Sequence, residues 1–244
     1  MVECDLAKVD VAGSNPVSRS RVNLPQRRYL DKRVSKMPKL IVSFILAATA
    51  VFAQYKSEPA GPPPSELAPA ISQGLQKAGT KIVSGSGTVF CEVWFRTSLP
   101  KAPKSAEESV TLPIVAHGTL MGAIRFPAQG ADRRGQAIKP GVYTLRYTLQ
   151  PVNGDHVGAS PQRDFLAMVP SADDKDLSST PNFDALMAMS KKASGTAHPA
   201  VLSIWNSSAQ SFPSFGKEGE NDWVLNVKIG DVPVAVILVG KVEG

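Results

Sequence analysis

Cysteine is nearly absent from this sequence, which has two cysteines in 244 residues. Cys4 lies close to the start and Cys91 stands alone in the rest of the chain, so no disulfide can form within that rest. Cys91 alternates with Val89 and Val93 in a strand-like pattern, and we interpret it as a small buried hydrophobic residue. Stability must therefore come from a hydrophobic core, and residues 54–244 are enough for one domain of ordinary size.

Catalytic signatures are also missing. The sequence has no Gly-x-Ser-x-Gly nucleophile motif, no phosphate-binding Gly-x-x-x-x-Gly-Lys, no His-Glu-x-x-His and no Cys-x-x-Cys. Its only histidines are His117, His156 and His198. Serine and aspartate are available for a catalytic triad, but no local motif selects a set. We therefore predict a protein that is not an enzyme.

No apolar run is long enough to cross a membrane as a helix. The run Leu40 to Phe52 follows a short basic start at Met37 and ends in small residues, which is typical of a secretory signal peptide. We predict a signal peptide over residues 37–53 that is cleaved before Gln54. The mature protein is then secreted or periplasmic and has no transmembrane segment.

The segment before Met37 is polar, basic and without hydrophobic periodicity. Because a signal peptide begins at the N-terminus, we predict that translation starts at Met37 and that residues 1–36 are a mis-called upstream extension. The string Val11 to Ser20 reads like an in-frame translation of the T-arm of a transfer-RNA gene. The alternative is a genuine cytoplasmic extension or a long basic start of the signal peptide.

The positive charge of the chain belongs mostly to this discarded part. The formal net charge is +6, and residues 1–53 contribute +5 of it, which leaves +1 for residues 54–244. The latter contain no long basic run or basic helix, so we predict that the protein does not bind nucleic acid.

The clearest strand begins at Pro140 and ends before Pro151. Apolar and mostly polar positions alternate along it, which predicts a strand with one buried face; the first set is Tyr143, Leu145, Tyr147 and Leu149, and the second is Val142, Thr144, Arg146, Thr148 and Gln150. A polar loop from Asn153 to Ser160 follows, and a second strand leads to Met168.

The remaining pattern predicts short strands and two helices. The other strands are predicted over 81–83, 88–97, 110–116, 119–126, 200–205, 222–229 and 232–239, with Pro233 at an edge, and the helices over 65–79 and 182–192. Residues 129–136 read as a solvated loop and the proline-rich residues 54–64 as a flexible leader. We expect a single mainly β domain over 65–244: an antiparallel β-sandwich, possibly immunoglobulin-like, or a partly closed barrel with two short helices.

Asp155 and His156 are the best candidates for a metal site, because Cu(II) binds neutral imidazole and carboxylate groups. The segment Pro140 to Gly158 resembles CopC-type copper-resistance domains, where a Pro-Gly-x-Tyr strand leads into a Ser-x-Asp-Gly-His loop. That resemblance implies a periplasmic copper-binding sandwich with His156 as a ligand. The order here is Gly-Asp-His, and Gln54 replaces the N-terminal histidine ligand of that family. The alternative is a turn without metal.

Three tryptophans, Trp94, Trp205 and Trp223, allow another interpretation, a carbohydrate-binding module with aromatic platforms. Trp94 shares a strand face with Glu92 and Arg96 and is a candidate for exposure. The alternative for all three is packing in a core or an interface.

Several stretches resemble a group of uncharacterised secreted bacterial proteins that is common in acidobacterial genomes. They are Ser65-Glu66-Leu67, Cys91-Glu92-Val93-Trp94, Pro140 to Asp155, and Lys191 to Gly195 leading to His198-Pro199. The resemblance implies export and a shared fold but no activity. We therefore predict an exported, non-catalytic protein that binds a partner or ligand of the cell envelope, such as an envelope protein or a glycan.

Overall fold

The computed structural model describes residues 54–152 and 162–241, and ten strands in these ranges form one antiparallel sheet. The elements of the described chain are β1 (Tyr55–Ala60), α1 (Pro69–Gly74), β2 (Gly79–Ser84), β3 (Val89–Phe95), β4 (Leu120–Phe126), β5 (Gly130–Ala131), β6 (Ala137–Ile138), β7 (Gly141–Leu149), β8 (Asp164–Pro170), α2 (Phe183–Ser194), β9 (Val201–Asn206), β10 (Ser214–Glu218), β11 (Asp222–Ile229) and β12 (Val232–Val239). Strands β5 and β6 form a separate two-stranded ribbon.

The large sheet is nearly closed into a barrel, in the order β1-β2-β3-β4-β7-β8-β9-β12-β11-β10. After β9 the chain crosses to the far edge, forms β10, and returns through β11 and β12, which pairs with β9. The predicted mainly β fold with two short helices is confirmed, and it takes the barrel form. The edge strands β1 and β10 lie beside each other without pairing, and we call the gap between the β1–β2 end and the β10–β11 end of the sheet the seam.

The barrel interior contains the largest hydrophobic cluster. Every second residue of the strands points into it, and Cys91, Leu145, Tyr147, Leu166 and Val236 are each at most 1 % exposed. Full burial of one large apolar side chain contributes about 1.5–3 kcal/mol, so this cluster is the main source of stability. The predicted burial of the Cys91 thiol is confirmed.

Both faces of β7 are buried, whereas its alternating pattern predicts one buried face. Tyr143 and Leu145 face the interior, and Thr144 and Arg146 on the opposite face are completely buried as well. The segment 171–181 covers this second face, and Asp174 in that segment pairs with Arg146. The polar character of the face therefore reflects an internal ion pair.

The two helices pack on the outside of the barrel. Helix α1 and the residues around it bury Leu67, Ile71 and Leu75 against Trp94. Helix α2 buries Leu186 and Met187 against a second cluster formed by Phe165, Ala167, Val169 and Val201. None of the helices in the described residues is long and apolar enough to cross a membrane.

Helix α1 is shorter than predicted. It begins at Pro69, where the missing N–H of proline is harmless, and not after Ser65; Gly79, predicted as its stop, begins β2. The predicted apolar stripe is nonetheless buried: Ile71 lies within the short helix, and Leu67 and Leu75 lie on either side of it. Helix α2 spans Phe183–Ser194, close to the predicted 182–192. The Asn182 side chain caps its first turn by accepting the N–H of Ala185.

The prediction of a flexible leader over 54–64 is wrong for its first half. Tyr55–Ala60 form the edge strand β1 and pair with β2 along their whole length, so the sheet begins before residue 65. Pro59 is tolerated because an edge strand can lack one backbone donor.

Three further local predictions are corrected. Residues 110–116 form no strand, because the N–H groups of Thr111 and Leu112 donate to the Asp164 carboxylate. Residues 129–136 are not a solvated loop, since Asp132 is 1 % exposed and accepts the N–H groups of two residues in its turn. Strand β12 is central, and Pro233 precedes its first pair with β9. Strand β10 was not predicted.

Candidate functional site

The predicted metal residues lie outside the described part of the chain. Asp155, His156 and Gly158 belong to residues 153–161, which the structure does not describe. Among the described residues, no group of three or more His, Cys, Asp or Glu side chains could hold a metal ion. The copper site stays a prediction from the sequence.

His117 is held by its ring nitrogens, and His198 takes part in its loop through backbone groups. The Nδ1 atom of His117 lies 2.9 Å from Thr148 Oγ1 and its Nε2 atom lies 3.0 Å from the Pro181 carbonyl, so both ring nitrogens are engaged. The backbone carbonyl of His198 accepts the Ser194 hydroxyl at 2.7 Å. Both interactions hold loops in place.

The most polar buried cluster surrounds Arg146. Its Nε and Nη2 atoms donate to the two oxygens of the Asp174 carboxylate, each at 2.7 Å. The other N–H groups donate to the carbonyls of Gly118, Ser179 and Asp176. Because the guanidinium and the carboxylate are both satisfied, this cluster fixes segment 171–181 on the barrel and leaves no group for a ligand.

A second buried carboxylate, Asp164, has a similar role. It accepts two backbone N–H groups from residues 111 and 112 at 3.0 Å and the Tyr147 hydroxyl at 2.7 Å. Burial, followed by the hydrogen bond and the charge of Asp164, raises the pKa of Tyr147 above its ordinary range. Tyr147 therefore stays protonated and serves as a fixed donor.

The three tryptophans do not form the surface row that a carbohydrate-binding module predicts. Trp94 is 2 % exposed, and its indole N–H donates to the Gly61 carbonyl at 2.8 Å. Trp205 packs on a separate outer cluster. Trp223 stacks on Phe215, with ring centroids 5.7 Å apart.

The best candidate site is a cavity of about 470 Å³ at the seam. Strands β1 and β2 line one side, and β11 with the chain before β10 lines the other. The lining residues are Ser57, Glu58, Pro59, Gln76, Ala78, Gly79, Thr80, Phe212, Pro213, Leu225, Val227 and Lys228. We call this space the seam cavity.

The pairing register explains why the barrel is open here. Strand β10 pairs with β11 only over Asp222–Asn226, so within the described residues no strand pairs with Val227 and Lys228 on that side. Strand β1 forms the opposite edge of the described sheet and pairs with β2 alone. The open stretch is therefore a window in the barrel wall.

Specific contacts close the window at both ends. At one end the ring of Tyr55 meets the ring of Trp223 edge to face, with centroids 5.7 Å apart. At the other end the side-chain amide of Gln76 donates to the Lys228 carbonyl at 3.0 Å. These contacts hold the two ends of the sheet at a fixed separation, so the cavity is preformed.

The cavity wall is mainly apolar, and its lining includes two charged residues, Glu58 and Lys228. Leu225 and Val227 belong to the interior cluster of the barrel, and Pro59, Phe212 and Pro213 add further apolar surface. Outside the lining, Lys56 and Lys81 pair with Glu58 at 2.8 and 3.0 Å. Hydrogen bonds from these lysines, with that of Lys56 the larger effect, lower the pKa of Glu58.

No sequence pattern indicated the seam cavity. Its lining residues come from positions 57–80 and 212–228, and they meet only because the two ends of the sheet approach each other. Sequence patterns indicate residues that are close along the chain, such as Asp155 and His156.

Comparison with protein-family models, with curated proteins and with solved structures found no match. The two resemblances noted in the sequence stay predictions.

Proposed function

We propose that this protein is an exported, non-catalytic binding protein whose ligand is a small, largely apolar molecule held in the seam cavity. The observation that supports it is the cavity itself, which has about 470 Å³ and leads from the surface to core residues of the barrel. This volume is within the roughly 300–1,000 Å³ of typical small-molecule sites, which are mostly apolar with a few polar groups.

The chemistry of the lining favours binding over catalysis. Its titratable side chains are Glu58 and Lys228, and Glu58 is held ionised by two lysines. A carboxylate that is already paired in this way is a poor general base at neutral pH, since its pKa lies below its usual range. Export and location in the cell envelope rest on the signal peptide predicted for residues 37–53.

Binding of N-phenyl-1-naphthylamine tests the proposal, because this neutral apolar dye fluoresces strongly only away from water. At about −0.3 to −0.4 kcal/mol for each of its about 17 non-hydrogen atoms, we expect saturable binding with a Kd of about 10–200 µM. Ser57→Trp, which places a large ring in the cavity, should weaken binding at least about tenfold.

Lys56→Trp is the matched control. Lys56 lies on the same strand as Ser57, is exposed and does not line the cavity; its side chain points to the opposite face. This variant should bind the dye with an affinity close to that of the wild type. Absence of saturable binding, or equal binding by Ser57→Trp, would refute the proposal.

A further inference from the structure

The lining of the seam cavity includes a cation, Lys228. Lys56 and Lys81 share the carboxylate of Glu58. Lys228 is exposed, and no carboxylate of the described residues lies within 4 Å of its Nζ atom. Glu58 therefore has two cationic partners, whereas Lys228 has no anionic partner among the described residues.

The Lys228 ammonium is held at this mouth. Its Nζ atom lies over the ring of Phe212, 5.3 Å from the ring centroid, and Phe212 itself lines the cavity. A contact with an aromatic face restricts the side chain but leaves N–H donors free, because an ammonium group has three. The group is thus placed beside an apolar wall and can still bind an anion.

We propose that the ligand of the seam cavity is an amphipathic carboxylate, whose apolar body fills the cavity and whose carboxylate pairs with Lys228 at the mouth. This inference rests on the proposed function and specifies its ligand. Because Glu58 is already paired with two lysines, the ammonium of Lys228 favours an anion over a cation, and the apolar wall favours a molecule with a substantial hydrocarbon part.

Octanoate and 1-octanol test the inference, since they share the hydrocarbon chain and differ in charge. In the assay each compound competes with the bound dye. The affinities for octanoate and for octanol are then compared between the wild type and Lys228→Gln. We expect Lys228→Gln to weaken octanoate binding about two- to fivefold, the range for an exposed ion pair. Octanol binding should stay unchanged.

Three controls separate charge from other effects. Lys228→Arg retains the charge and should restore octanoate binding, and Lys104→Gln, an exposed lysine outside the cavity lining, should have no effect. Raising the salt from about 20 mM to about 500 mM should weaken octanoate binding in the wild type and much less in Lys228→Gln, because salt screens exposed charges.

The outcomes distinguish the two proposals. If the dye does not bind, the proposed function fails. If the dye binds and Ser57→Trp blocks it, but Lys228→Gln leaves octanoate binding unchanged or weakens octanoate and octanol equally, the carboxylate inference alone is overturned.

Discussion

Removing the Asp174 carboxylate should destabilise the barrel strongly. Asp174 is 5 % exposed and receives two hydrogen bonds of 2.7 Å from Arg146, which is completely buried on the outer face of β7. It also accepts the Thr144 hydroxyl. Asp174→Ala removes these acceptors and leaves the Arg146 charge buried without a counter-ion.

The magnitude follows from that unpaired charge. Breaking a buried ion pair by removing one partner costs about 3–5 kcal/mol, because the remaining charge keeps its desolvation penalty. For a chain of this size, with a urea dependence of about 2 kcal/mol per molar, the midpoint of unfolding should fall by about 1.5–2.5 M. Arg146→Met in the Asp174→Ala background should recover part of the loss, since it removes the buried charge.

Urea unfolding followed by tryptophan fluorescence measures the effect, and Asp173→Ala is the matched control. Asp173 is the neighbouring carboxylate, but it pairs with Lys192 at 3.3 Å on the surface, with side-chain exposures of 36 % and 59 %. Its removal should cost at most about 1 kcal/mol. A midpoint for Asp174→Ala as close to the wild type as that of Asp173→Ala would refute the assignment of the pair as a structural clamp.

Two further predictions concern buried groups and a third concerns a helix cap. Burial raises the pKa of the Cys91 thiol, so in a Cys4→Ser chain a thiol reagent should label Cys91 only when the protein unfolds; rapid labelling of the folded protein would contradict its burial. The raised pKa of Tyr147 means that the unfolded state loses its proton first, so the free energy of unfolding should decrease above about pH 10, and less steeply in Tyr147→Phe; equal slopes would contradict the assignment. Asn182→Ala, which removes the cap of helix α2, should cost about 1 kcal/mol in thermal or urea unfolding, and an unchanged midpoint would show that the cap is not needed.

The parts of the fold that could be predicted are those with local causes. Strand β7 shows a regular alternation, and α2 has an asparagine cap, an apolar stripe and Gly195 with φ 70° at its end. The turn at Gly230 likewise marks the β11–β12 hairpin, since its φ of 61° suits glycine. In each case the determining residues lie within a few positions of each other.

The rest depends on contacts between distant residues. Tyr55–Ala60 has a proline and three charged or polar residues, and only its pairing with β2 makes it a strand. Arg146 is a charged residue on the polar face of β7, and its burial depends on pairing with Asp174, 28 positions away. The seam cavity is the extreme case, because Pro59 and Val227 come together through closure of the whole sheet.

The most direct test of the seam cavity as a ligand site is to follow backbone amide chemical shifts by NMR during titration with N-phenyl-1-naphthylamine. We predict that saturable changes concentrate at Ser57, Gly79, Val227 and Lys228 and spare helix α2, which packs on β8. Changes that concentrate elsewhere, or scatter without saturation, would contradict the account.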